Sequence, residues 1–178
     1  MKVVKTVVSL VRCAWLKMRF GSLLQLQGLP RIGRTGFFSV RDGGRMELGR
    51  ATIGDNVTIS APGGRMRVGD GVSFNVNCYV VCRGEMTIGD GCAVGPGVCI
   101  VDHNHNFDEN GLGSGLKVGK IVIGKKCWIG ANAVILKDTI IGDGCVIGAG
   151  AVVKGNIPAH SLVVSNRELV VTPIRKRS

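Results

Sequence analysis

An all-β coil of short strands, three to a revolution and preceded by one amphipathic helix, is the fold that this 178-residue sequence predicts. Three observations lead there. Aliphatic residues recur every sixth position through the middle of the chain, as at Ile123, Ile129, Ile135, Ile141, Ile147 and Val153. Glycine is abundant (28 residues), while aromatic residues make up only 4% of a chain that is 45% apolar. The first twenty residues follow the helical period instead.

Taken in chain order, residues 2–19 place Val3, Val4, Val7, Val8, Leu10, Val11, Ala14, Trp15 and Met18 on one side of a helical wheel. Lys2, Lys5, Thr6, Ser9, Arg12, Lys17 and Arg19 share the other, with Cys13 and Leu16 as exceptions to both. Pro30 and the glycines at 28, 33 and 36 close this region, so residues 1–35 read as helix and linker. Two uses suit such a helix. Its basic face meets anionic lipid while Val, Leu and Trp enter the acyl boundary, or its apolar face caps the open end of the coil or packs between subunits.

Residues 36–166 read as the coil. A period of six fits neither 3.6 nor a long alternating strand. It fits flat strands with a corner every six residues, each aliphatic residue pointing inward and a smaller one filling the corner four positions later: Cys127, Ala133, Thr139, Cys145, Ala151 and Ile157. Earlier stretches keep the pattern at Ile53-Gly54, Val68-Gly69 and Ile88-Gly89. Cys78, Cys92, Cys127 and Cys145 fall on the small inward position, which predicts buried structural thiols. Seven cysteines without CxxC pairs argue against a disulfide framework or a zinc module and for a reducing compartment.

The coil is interrupted at Gly63-Gly64-Arg65 and Arg83-Gly84-Glu85, read as bulging turns, and over 102–120, read as a long polar loop. Such a loop on a rigid scaffold is a favoured place for chemistry. It holds His103 and His105, two of only three histidines. A metal site needs more ligands than these supply with Asp102 or Asp108, so none is expected. A general base is the better use of a neutral imidazole. His160, after Pro158, reads as structural. Residues 167–178 form a basic tail ending in Arg175, Lys176 and Arg177.

The net charge of +11 raises a nucleic-acid partner. Its distribution argues otherwise: residues 1–50 carry ten basic and two acidic side chains, whereas residues 51–174 carry ten of each. The coil is neutral and has no recognition motif, so no nucleic acid is expected.

The Ile-Gly-x-x-small-x hexads, the histidine-bearing break, the run Lys126-Cys127-Trp128-Ile129-Gly130-Ala131-Asn132-Ala133-Val134-Ile135-Leu136 and the later Ile147-Gly148-Ala149-Gly150-Ala151-Val152-Val153 with Ile157-Pro158 together resemble the hexapeptide-repeat acyltransferases. The similarity spans roughly residues 48–164 and is closest to bacterial sugar O-acetyltransferases of the galactoside and maltose acetyltransferase group. Asp102-His103-Asn104-His105 is similar to members acting in lipopolysaccharide and capsule synthesis. This resemblance implies a left-handed parallel β-helix, a homotrimer with sites between subunits, acetyl-CoA as donor, and a sugar or lipid-linked saccharide as acceptor. It makes His103 the general base for direct attack of a hydroxyl on the thioester. It places Asn75 as an acceptor-site amide with Asn77 as substitute, and Asp102 and His105 in support. Trp128, Ala131, Ala149 and Gly150 then lie along the pantetheine arm. Lys154 stands one place before the expected nucleotide contact, and Ser165-Asn166-Arg167-Glu168 replaces the usual closing element; Arg175, Lys176 and Arg177 either substitute for those contacts or form a solvated tail. The implied place is the cytoplasm, at the inner membrane face if the helix meets lipid. N-acetylation of a nucleotide-linked amino sugar and a silent scaffold are the alternatives.

Overall fold

The structure, a computed structural model, describes residues 2–109 and 111–165, with side chains from residue 6 onward. About half the chain is strand, wound into a left-handed parallel β-helix of about seven turns behind one helix, α1 (Lys2–Phe20). The wall has three faces. Face I stacks two-residue strands in parallel from Arg31–Ile32 through Ser73–Phe74 and Trp128–Ile129 to Leu162–Val163. Face II runs from Gly36–Arg41 through Tyr79–Val81 and Cys99–Val101, and face III from Leu24–Leu26 through Glu85–Ile88 and Lys120–Ile123. Faces II and III join in one sheet because Val134–Ile141 continues around their shared corner.

The hexad is the reason for this shape. Ile123, Ile129, Ile135, Ile141, Ile147 and Val153 are all buried in one continuous core. Each such side chain contributes about 1.5–3 kcal/mol relative to its exposed state. The small corner positions Cys127, Ala133, Thr139, Cys145 and Ala151 are equally enclosed, Ile157 only in part. The four inward cysteines donate to backbone carbonyls of the adjoining coil: Cys78 to Gly95 (3.1 Å), Cys92 to Gly124 (3.0 Å), Cys127 to Gly142 (3.1 Å) and Cys145 to Pro158 (3.0 Å). Aspartates tie coils together from outside: Asp70 Oδ1 accepts the Arg50 N–H, Asp90 Oδ1 that of Asp70, and Asp143 Oδ1 that of Lys125.

Three details depart from the sequence reading. The first coil starts at Leu24, inside the segment read as linker, because the strands Leu24–Leu26 and Arg31–Ile32 already pair with Arg45–Leu48 and Thr52–Ile53. The break at 102–120 is ordered as an antiparallel hairpin, His103–Asp108 with Gly111–Val118, bulged between His105 and Phe107. And α1 does cover the first edge of the coil, but with the face opposite to the one its apolar stripe suggested. Among its described side chains Ser9, Cys13 and Leu16 are the buried ones. Ser9 Oγ accepts the Ile32 N–H (3.2 Å), Cys13 Sγ points to the Pro30 carbonyl (3.6 Å), and Arg12 donates to the Gly33 carbonyl. An edge strand needs its open backbone groups satisfied, and short polar side chains do this where valines would not. Cys13 and Leu16, the exceptions on the wheel, are therefore the anchoring residues. No helix among the described residues is long and apolar enough to cross a membrane.

Candidate functional site

The corner between faces II and III is built from Arg83-Gly84, Asp102 and the two ends of the hairpin. Asp102 is fully buried. Its carboxylate accepts the Arg83 N–H at 2.8 and 3.0 Å and the Gly84 N–H at 2.8 Å. Backbone donors thus hold a buried anion in one orientation. His103, the first hairpin residue, sets Nδ1 3.3 Å from Asp102 Oδ1, and its side chain is 19% exposed. An imidazole that donates Nδ1–H to a carboxylate keeps its lone pair on Nε2, the state that can take a proton from a hydroxyl.

The hairpin closes tightly at this point. The Gly119 N–H donates to the Asp102 carbonyl (2.7 Å). A β-carbon on Gly84 would lie 2.6 Å from both the Gly119 carbonyl oxygen and Val118 Cγ1, so glycine is what lets the hairpin base pass the preceding coil. His105 is exposed and, two residues along the same strand, shares His103's face of the hairpin.

The remaining candidates gather at a different corner, between faces I and II. Asn75, Asn77, Ala131, Ala149 and Gly150 stack there, and Trp128 lies on face I leading into it. Trp128 is 57% exposed. Trp128 and Asn75 line one shallow groove of about 390 Å³, floored by Ser73, Phe74 and Ala93. Asn75 stands where the other coils carry Gly54, Gly95, Gly130 and Gly148. Its Oδ1 accepts the Val76 N–H (2.8 Å), which leaves the amide NH2 as a donor. Asn77 has a left-handed backbone (φ 61°), as do Asn56 and Asn132 in the same column, so turn geometry alone accounts for it. Gly150 is left-handed too, and its N–H donates to the Ala131 carbonyl (2.8 Å).

One chain therefore brings Asp102 to His103, and Asn75 to Trp128, but separates the two pairs by the width of face II. Lys154 lies on the hairpin's corner, beside Asp138, and is exposed. Arg167, Glu168 and the tail cations lie outside the described residues. Sequence reasoning missed Arg83, whose Nε is buried without a hydrogen-bond partner at the hairpin corner. It also missed Gly84; its one signal was a glycine at each of the two short insertions. His160, left-handed at φ 59°, occupies a turn stacked on Gly144, in keeping with a structural part.

Among the described residues no group of three or more His, Cys, Asp or Glu could hold a metal ion. Burial raises the thiol pKa values of Cys78, Cys82, Cys92 and Cys127, that of Cys92 to about 11. A nucleophile needs the opposite shift.

Comparison with known proteins follows the same lines. Residues 120–155 match the family described as bacterial transferase hexapeptide (six repeats). A Staphylococcus aureus (strain COL) protein provisionally named an acetyltransferase is 42% identical over 130 residues, covering 69% of this chain and 65% of that relative. The chain spans about half the length of other curated relatives it matches. Two solved structures share the fold: a maltose O-acetyltransferase from Clostridium difficile 630 (TM-score 0.55, 23% identity, 96% of this chain and 89% of that one) and a single-residue mutant of AntD, an N-acyltransferase from Bacillus cereus, in complex with dTDP and coenzyme A (TM-score 0.60, 18% identity, 91% and 89%). The resemblance to hexapeptide-repeat transferases read from the hexads is thus met in both sequence and fold.

Proposed function

We propose that this chain transfers an acetyl group from acetyl-CoA to a hydroxyl of a saccharide, with His103 as general base. The observation that carries the reading is the buried, backbone-held Asp102 against the partly exposed imidazole of His103 at the base of the hairpin. His103 Nε2 takes the hydroxyl proton as the oxygen attacks the thioester carbon. The tetrahedral intermediate carries its negative charge on the former carbonyl oxygen, where the Asn75 amide NH2 supplies a donor. Collapse breaks the C–S bond, and the proton on His103 passes to the leaving thiolate. No acyl-enzyme is needed, which suits a chain whose inward thiols are shifted away from reactivity.

The donor reading is supported by the relatives' names and by the groove beside the exposed Trp128 ring, lined by Asn75, Ala93 and Gly95, with the small residues Ala131, Ala149 and Gly150 at the adjoining corner. The separation of His103 from Asn75 within one chain supports a homotrimer in which one copy's hairpin meets the next copy's groove. We read the acceptor as a sugar or a lipid-linked saccharide in cell-surface polysaccharide or lipopolysaccharide synthesis, on the cytoplasmic side. The AntD likeness favours one second reading, transfer to the amine of a nucleotide-linked amino sugar.

Mass spectrometry of free, lipid-linked and amino-sugar acceptors incubated with acetyl-CoA separates hydroxyl from amine transfer. His103→Ala should lower turnover about 10²–10⁴-fold with unchanged circular dichroism and oligomer size. Turnover equal to wild type would overturn the base assignment.

A further inference from the structure

The anchoring of α1 leaves a face unused. Ser9, Cys13, Leu16 and the partly buried Phe20 hold the helix to the coil, and at 100° per residue they centre on one side. Val7, Val11, Ala14, Trp15 and Met18 centre on the other, directly away from the coil. Val11 is 63% and Met18 80% exposed. Exposed Phe37, which borders the same recess as Trp15 and Arg19, extends the patch beyond the helix. A contiguous apolar stripe turned to water on a chain with an otherwise well-filled core marks an interaction surface.

Charge identifies the occupant. Arg19 flanks the stripe on one side and Lys17 on the other, and the Arg19 guanidinium lies 5.1 Å from the centre of the Trp15 ring. Among the described residues no carboxylate is within ion-pair distance of Lys17, Arg19, Arg31 or Arg45. Residues 1–50 hold ten bases against two acids, so a second copy placed on this face would set like charges together. Phosphate headgroups would neutralise them while the stripe enters the acyl boundary and the long cations reach back to the interface.

We propose that the outer face of α1 docks this protein flat on an anionic phospholipid surface. The helix lies between coil and bilayer, held to one by Ser9, Cys13 and Leu16 and to the other by Val7, Val11, Trp15 and Met18. The proposal is independent of the transfer reaction.

The test is co-sedimentation of the full chain with vesicles of phosphatidylcholine alone or mixed with phosphatidylglycerol, at low and high salt. Wild type should bind the anionic vesicles at least about tenfold more tightly, since each juxtaposed base contributes to attraction, and most of that preference should vanish in high salt. Val11→Glu/Met18→Glu should lose about tenfold or more in binding while keeping the wild-type unfolding temperature and sedimentation coefficient. In a Trp128→Phe background Trp15 is the sole tryptophan of the two, and its emission should shift to the blue with anionic vesicles only; this reads the same contact should the double variant fold poorly. No binding by wild type, equal binding to neutral vesicles, or no shift from Trp15 would overturn the proposal. So would a change of oligomer size in the double variant, which would give this face to a second copy.

Discussion

Replacing Asp102 by asparagine tests the site at its most constrained atom. The carboxylate faces only donors: Gly84 N–H on Oδ2, Arg83 N–H shared by both oxygens, and His103 Nδ1 on Oδ1. An amide must turn its NH2 toward one side. Turned to Gly84, it opposes a backbone donor that has no alternative. Turned to His103, it opposes a ring that can move its proton to Nε2. The second arrangement is the cheaper, because Arg83 N–H and Gly84 N–H then keep the one remaining oxygen. It still loses a charge-assisted hydrogen bond, about 1.5–3 kcal/mol, or about 3–12 °C in Tm for a chain of this size. It also removes the lone pair from Nε2, and turnover should fall about 10²–10⁴-fold. Thermal unfolding, thiol release from acetyl-CoA and ¹⁵N shifts of the imidazole report the three effects separately. Turnover within about twofold of wild type alongside a lowered Tm would refute the link from carboxylate to base, leaving Asp102 a purely structural cap.

Two further outcomes follow from the coil itself. Lys126 is left-handed (φ 54°) in a column where Gly91 and Gly144 hold the same conformation. Lys126→Gly should relieve about 1–2 kcal/mol of backbone strain against about 0.5–1 kcal/mol of added chain entropy, a net gain read as a higher urea midpoint at constant slope; a lower midpoint would contradict it. The carboxyl of Asp70 is depressed by the Arg50 side chain and backbone, and that of Asp90 by the Asp70 N–H and then Lys125. A depressed folded pKa means stabilisation fully present above the unfolded value and lost as pH falls through the folded one. The urea midpoint should thus be level from about pH 5 to 8 and drop below about pH 4. Asp70→Asn should soften that drop, and parallel curves for variant and wild type would count against it.

The coil was legible because its physics is local and repeated: a six-residue interval admits few shapes, and Ile129 or Cys127 obeys it whatever lies elsewhere. The helix was legible as a helix but not in orientation. A wheel ranks faces by apolarity, whereas the coil's first edge selected Ser9, Cys13 and Leu16 for their fit to open backbone groups at Pro30 and Ile32. The hairpin was hidden because its strands carry neither alternation nor a two-residue turn signal flanked by apolar runs. His103 and Asp102 were found as neighbours in sequence. Gly84, from the preceding coil, meets them only through stacking, as does the buried Arg83 Nε, and no short window of sequence contains that relation.

The bond between Gly119 N–H and the Asp102 carbonyl has a consequence for how such a protein diversifies. Chain leaving at Asp102 and returning at Gly119 restores the pitch before Lys120–Ile123 takes its place beside Glu85–Ile88. Beyond the base pair of His103 and Val118, what lies between is a cassette whose length and composition can change without shifting any coil above or below it. Recognition carried by that cassette can be rewritten while the Trp128 groove, set by the regular spacing of the stack, stays as it is.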